Sequence, residues 1–278
     1  MKSFKKIIAI VLTMVICVSF AACGEKSAKD PTEYAKAVDN AYVVAEAGSA
    51  GEELAGSDAF FEKAKFTPAD SMATALMEVK SGNADIAIVD YVTSIGSIGE
   101  GTDFADLTVV EGKDFSPEEY GIAFRKGSDV VPAVNAAIAE LMADGTMTSI
   151  ADKYKLGDLL IKDGKAYGDE VTEGDLAYIK EKGELIIGIT LFAPMNYNNE
   201  KQELVGFETE FAKAVCEKLG VNAKFVEINW NSKEIELNAK SIDCIWNGMT
   251  ITDERLENMS ISVPYMQNKQ VMVAKKAK

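Results

Sequence analysis

Short apolar runs recur along the chain, and between them apolar residues fall at three- and four-residue spacing. That alternation predicts strands interleaved with amphipathic helices. Ala41-Tyr42-Val43-Val44-Ala45 reads as a strand. The glycine-bearing turn Glu46 to Gly51 leads into a helix opened by Glu52-Glu53-Leu54, with Ser49 as a fitting N-cap. Ser71 to Val79 places Met72, Leu76 and Val79 on one helical face, and Ser81-Gly82-Asn83 stops it. Ala84-Asp85-Ile86-Ala87-Ile88-Val89 reads as a parallel-type strand buried on both faces, and it ends at Asp90-Tyr91. Strands are also predicted at Leu107–Val110 and Tyr120–Phe124. A helix capped by Asp129 follows, with Val134, Ile138, Leu141 and Met142 on one face, and then a smaller helix over Thr148–Tyr154. Residues 157–176 are rich in glycine and acid and read as a linker. Beyond it come a helix at Asp175–Lys180, the strand Glu184–Ile189, a loop bearing Phe192, Pro194 and Tyr197, and the helix Thr209–Leu219 closed by Gly220. The strand Phe225–Ile228 has Trp230 just past its end, and Ser232–Ala239 is helical. Ile242–Trp246 is a strand running into the polar turn Asn247–Arg255 and a short helix, and Gln270–Ala274 is the last strand.

The pattern echoes itself. Residues 78–90 and 236–250 each run from a helix end through a lysine-serine turn and an apolar strand to a polar group. Two α/β lobes are therefore expected, with a cleft between their strand ends, where open sheets and paired domains take small ligands. The candidate chemistry lies at those ends. Gly248 lets a ligand approach backbone, Thr250 adds a hydroxyl, and Arg255 adds a fork suited to a carboxylate. Asp90 places a carboxylate at a strand terminus, and the Gly48-Ser49-Ala50 turn offers helix N–H groups to an anion.

Composition narrows the classes. The chain has 278 residues, enough for two medium domains, and a net charge of -15. Nucleic-acid binding is not expected of so acidic a surface. Residues 1–22 read as a secretory signal: Lys2, Lys5 and Lys6, then an apolar run from Ile7 to Phe20, then Ala21-Ala22. Losing it would take the net charge to -18. The order ending in Cys23 resembles a bacterial lipoprotein signal, with Cys23 as the lipidated residue and a polar tether after it. Cys216 and Cys244 read as small core residues, and a disulfide between them stays open. The chain has no histidine, which removes histidine acid–base chemistry, the usual nucleophile pairs and the commonest zinc ligand. No cofactor or metal site is expected, nor an enzyme.

Several motifs carry a resemblance. In one half they are Val205-Gly206-Phe207-Glu208, Asn229-Trp230-Asn231-Ser232, Gly248 to Arg255, and Pro264-Tyr265. In the other they are Ala47 to Glu52, Ala84-Asp85 with Val89-Asp90, and Ser116 to Gly127. Together they resemble the amino-acid substrate-binding proteins of ABC transporters, the type II periplasmic binding proteins. The resemblance implies an α/β, two-lobed venus-flytrap fold. It implies an extracytoplasmic, lipid-anchored monomer that binds a free polar amino acid and delivers it to ABC permease subunits. Arg255 would clamp the α-carboxylate with the backbone N–H groups of Thr250, Ser49 and Ala50. The Gly248 carbonyl and Asp90 would hold the α-ammonium, and Phe192 and Trp230 would sandwich the ligand. Ile189 and Glu46 depart from the family pattern, and Glu46 could accept from a polar or cationic side chain. A ligand-sensing module and a dehydratase-like enzyme are the alternatives on the same fold, together with a lobe pair that no longer closes.

The lobe order differs from the family's and resembles a circular permutation. The expected divisions are the signal 1–22, the tether and short helix 23–40, lobe 2 at 41–112, and the crossover strand and helices at 113–156 packing on lobe 1. The linker 157–176 would mark the join, and 177–278 would complete lobe 1. One covalent crossing between lobes is expected near 112–120, with 270–275 lying beside 120–124.

Overall fold

The computed structural model describes residues 29–168, 171–172 and 174–277. The predicted signal, Cys23 and the first part of the tether lie outside them.

One lobe begins with α1 (Pro31–Tyr34), β1 (Tyr42–Glu46), α2 (Ala50–Ser57), β2 (Lys65–Ala69), α3 (Met72–Ser81), β3 (Ile86–Asp90), α4 (Tyr91–Ser97) and β4 (Leu107–Val109). The chain then runs through β5 (Pro117–Arg125) into the second lobe, with α5 (Val130–Ala143), α6 (Thr146–Lys153), α7 (Asp175–Lys182) and β6 (Glu184–Ile189). There follow the hairpin β7 (Tyr197–Asn198) and β8 (Leu204–Val205), α8 (Phe207–Leu219), β9 (Asn222–Glu227), α9 (Lys233–Asn238), β10 (Cys244–Thr250), α10 (Asp253–Asn258), β11 (Met259–Ile261) and β12 (Met266–Lys275).

The helices end where their sequences stop them. In α3 the Ser71 hydroxyl accepts from Thr74 N–H, and Gly82 closes the other end at φ +85°. Only glycine adopts that left-handed conformation without strain. Met72, Ala75, Leu76 and Val79 form its buried face, as the spacing predicts. In α8, Phe207, Phe211 and Val215 fall one turn apart on the buried side. Phe211 meets Trp246 edge-on at 5.0 Å and lies 5.5 Å from Tyr265, so aromatic packing seats this helix on the sheet. Asp129 stands at the predicted N-cap of α5 but makes no cap bond there. Its carboxylate accepts instead from Gly174 and Leu176 N–H at 3.0 and 2.7 Å, capping α7 and pinning the end of the 157–176 stretch to the second lobe.

The main strand path is β2-β1-β3-β12-β5-β10-β6-β9. The β2-β1-β3 group and the β10-β6-β9 group are each parallel, as helix-linked strands require. Two antiparallel strands join them. Residues 117–120 of β5 pair with 266–269 of β12. Beyond that overlap, Gln270 to Val273 pair with Asp90 to Ala87 of β3, and Val273 to Lys275 with β4. The expected neighbour of 270–275 is therefore corrected: this half of β12 completes the first lobe and does not lie beside 120–124. The chain crosses between lobes twice, and the end of the expected second-lobe segment 177–278 belongs to the first lobe. The cause is length. β12 is ten residues where the apolar run suggests five, because Gln267, Asn268 and Lys269 interrupt the apolar pattern without interrupting the ladder.

Cys216 and Cys244 are both buried and stand as free thiols in this structure.

Candidate functional site

The two lobes meet at the strand ends. Thr252 caps α10 by accepting from Arg255 N–H at 3.3 Å, which fixes the arginine one turn past β10. The Arg255 side chain is buried. It donates to Thr250 O at 2.8 Å on its own lobe, and across the cleft to Gly48 O at 3.4 Å and Glu53 Oε1 at 2.7 Å. Lys233 follows it across, donating to Gly48 O at 2.9 Å with its amine 4.9 Å from the centroid of the Trp230 ring. The Gly48 carbonyl therefore takes two cations from the opposite lobe. Gly48 itself has φ +72°, and a Cβ there would stand 3.0 Å from Asn231 Cα, so the approach of the lobes requires glycine.

A polar seam leads from Arg255 to Asp90. Thr250 Oγ1 donates to Glu118 Oε2 at 3.1 Å. That oxygen also accepts from Asn268 Nδ2 at 2.9 Å and Gln270 Nε2 at 3.0 Å. The same two amides donate to Asp90 Oδ1, at 3.0 and 2.5 Å. A hydrogen-bond path thus links the arginine to the aspartate through the two strands that join the lobes. Burial, reinforced by Glu118, pushes the Asp90 carboxyl up to about 7. Beside it Glu46 ends β1, 1% exposed, with Oε1 bonded to nothing among the described residues. Burial and the charge of Asp90 push its carboxyl up to about 8, against the pull of Lys233. Lys233 in turn is pushed down to about 8 by burial and by Arg255.

Glu208, at the start of α8, holds the turn around Gly248. Its Oε1 accepts from Gly248 N–H at 2.7 Å and from the Tyr265 hydroxyl, and its Oε2 from Asn196 Nδ2 at 2.8 Å. Gly248 sits at φ +57° under Phe192, whose Cζ would be 3.0 Å from an added Cβ. Phe192 and Trp230 are both buried, on the second lobe.

Arg255, Asp90, Thr250, Gly248, Phe192, Trp230, Ser49, Ala50 and Glu46 all come to this region from separate stretches of sequence. One expectation is corrected. Ser49 N–H is spent inside its own turn, on Glu46 O at 3.2 Å, while the Ser49 hydroxyl caps α2. Tight turns close on themselves this way, so Ala50, the first residue of α2, is the better anion donor. Sequence reading missed Glu53, Lys233, Glu118, Asn268 and Gln270. For Asn268 and Gln270 a signal existed: two polar residues on the strand face that also holds Met266 and Met272, and buried with them. Among the described residues no group of histidine, cysteine, aspartate or glutamate is arranged to hold a metal ion. No described helix is long and apolar enough to cross a membrane.

The Arg255–Glu53 contact ties the lobes through one half-exposed carboxylate, 48% accessible at the side chain. Glu53→Gln should weaken it and give a larger radius of gyration by solution scattering without added amino acid. An unchanged radius would show that the contact does not hold the lobes together.

Two α/β lobes are thus joined by two strands, with charged groups from both lobes at their seam. Residues 185–278, from β6 to the end of the chain, match the family model of the bacterial extracellular solute-binding proteins, family 3. The chain is 35% identical over 102 residues to the L-cystine-binding protein TcyJ of Escherichia coli (strain K12), covering 36% of this chain and 37% of that protein. It is 33% identical over 111 residues to the L-cystine-binding protein TcyA of Bacillus subtilis (strain 168), covering 39% and 41%. The matches thus span less than half the length of these relatives. Among solved structures, the arginine-bound form of domain 1 from TmArgBP is 32% identical, covering 36% of this chain and 85% of that one, with a TM-score of 0.32.

Proposed function

We propose that this protein binds a free amino acid between its lobes outside the cytoplasm and delivers it to an ABC permease. The single observation that carries the reading is the placement of Arg255 and Asp90, both 4% exposed, at opposite ends of one polar seam shared by the lobes. A zwitterion presents opposite charges a few atoms apart. In this reading the ligand carboxylate replaces Glu53 on Arg255 and takes the N–H groups of Thr250 and Ala50. Its ammonium goes to Asp90 and the Gly248 carbonyl. Phe192 and Trp230 cover it and exclude water, which strengthens the charged contacts. The ligand closes the lobes only as far as it binds the closed form better than the open one. Cys23 would tether a monomer to the membrane face, as its lipoprotein-like leader suggests.

The permuted lobe order forms part of the same proposal. In support, Lys29 and Lys275 line one surface cavity of the first lobe, so the two ends of the described chain lie near each other, as permutation requires.

A thermal-shift screen against the twenty amino acids, ornithine and cystine tests the function. At a hundredfold excess over Kd a true ligand stabilises by about 2.7 kcal/mol, so at least one should raise the melting temperature clearly. No shift with any of them would refute the reading.

A further inference from the structure

An aspartate just before a helix ordinarily turns its carboxylate onto the first N–H groups of that helix. Asp90 holds this place before α4, and its side chain makes no such bond. The Val92 N–H donates instead to Asn268 Oδ1, at 3.3 Å, from β12. Asn268 thus caps α4 in place of Asp90. Its partners fix which way the amide points, since the oxygen meets an N–H and the nitrogen meets two carboxylates.

The nitrogen side of the same amide holds the Asp90 carboxylate off the helix. Asn268 Nδ2 donates to Asp90 Oδ1 at 3.0 Å, and Gln270 Nε2 to the same oxygen at 2.5 Å. Each amide nitrogen also donates to Glu118 Oε2. Asn268, Gln270 and Asp90 are all buried. A buried carboxylate needs donors if it is to ionise, because hydrogen bonds to the charged form favour it. The titratable groups facing Asp90 are the acids Glu118 on β5, Glu46 on β1 and Glu208 on α8, with the phenols of Tyr120 and Tyr265. Burial and Glu118 push its carboxyl up, and Gln270, Tyr120 and Asn268 pull it back.

We propose that Asn268 and Gln270 are positioning residues for ligand recognition: by capping α4 in place of Asp90 and bonding Oδ1, they keep its carboxylate turned into the seam, with Oδ2 offered to the ligand α-ammonium. The proposal rests on the amino-acid reading above and adds the residues that shape its ammonium site. Both lie on β12, one of the two strands that cross between the lobes, so the crossing itself builds part of the site.

L-arginine and 5-guanidinopentanoic acid differ only in the α-amine, which isolates the ammonium contact. By calorimetry on the full chain at pH 7, Asn268→Ala should weaken L-arginine at least about tenfold, the size expected when a hydrogen bond to a charged group is lost. Gln270→Met, which keeps the length of the side chain, should act in the same direction. Both variants should bind 5-guanidinopentanoic acid as the native chain does. Arginine affinity should rise with pH as Asp90 ionises, and the midpoint of that rise should lie higher in both variants, because each has lost a donor to the charged form. A crystal structure of Asn268→Ala should show Asp90 turned back onto the Val92 N–H, so that α4 keeps a cap and the variant folds. If the thermal-shift screen selects another amino acid, that one and its deamino acid take the place of this pair. Equal losses for the two ligands, undiminished arginine affinity or an unshifted midpoint would each overturn the proposal and leave amino-acid binding intact. If no amino acid binds the native chain, the broader reading fails and this one with it.

Discussion

Arg255→Ala is expected to weaken amino-acid binding by at least about a hundredfold while the protein still folds. The guanidinium is buried and can meet a carboxylate with two parallel bonds, and losing one partner of a buried charge pair costs about 3–5 kcal/mol. That corresponds to a change in Kd of roughly two to nearly four orders of magnitude. Folding should tolerate the change. Glu53 is half exposed and can be solvated, and the Thr250 and Gly48 carbonyls can accept from water. Arg255→Lys separates charge from geometry. It keeps the cation but loses the planar fork, so its affinity should fall between those of the native protein and the alanine variant. Undiminished affinity in Arg255→Ala, measured by calorimetry, would remove the arginine from the site.

The second large effect is on stability against pH. Glu46, Asp90 and Glu208 are held at about 8, 7 and 7, above their usual carboxylate values, chiefly by burial. The folded protein therefore binds more protons than the unfolded chain between roughly pH 4.5 and pH 8, and stability falls as pH rises through that window. The contribution is present in mild acid and is lost by about pH 8. Thermal or urea unfolding without added amino acid should show the native protein less stable at pH 8 than at pH 5. Glu46→Gln should flatten the slope. Stability rising across the window would mean that these carboxyls are ionised and paired in the folded state.

Much of the fold was legible because it depends on local rules. The apolar run from Ile86 to Val89 reads as a doubly buried strand, and it forms β3 with Asp90 at its end. The serine before α3 and the glycine after it mark that helix to within two residues. What escaped depends on long-range contacts. β12 reads as five residues from its apolar run, but its ladder runs through Asn268 and Gln270, whose amides are bonded to acids from β3 and β5. The second crossing between lobes was hidden by the same feature. Asp129 looked like a cap for the helix after it, yet it caps α7, some 45 residues on, because the stretch before Asp175 folds back against the second lobe.

The site divides along the same line. Arg255, Gly248, Thr250 and Asp90 announce themselves through residue type and position at a strand end. Glu53 and Lys233 look like ordinary solvated helix charges, and only the approach of the two lobes places them against Arg255 and Gly48. Glu118 stands beside a second acid, Glu119, at the start of β5 and becomes important only because β12 sets two amides against it.

The central claim concerns a zwitterion held by opposite charges across the seam. It is tested most directly by a crystal structure of the full chain grown with L-arginine. The account predicts the ligand carboxylate on Arg255 and its ammonium on Asp90, with Glu53 displaced. A ligand bound on the outer surface of one lobe, with the Arg255–Glu53 pair still in place, would contradict it.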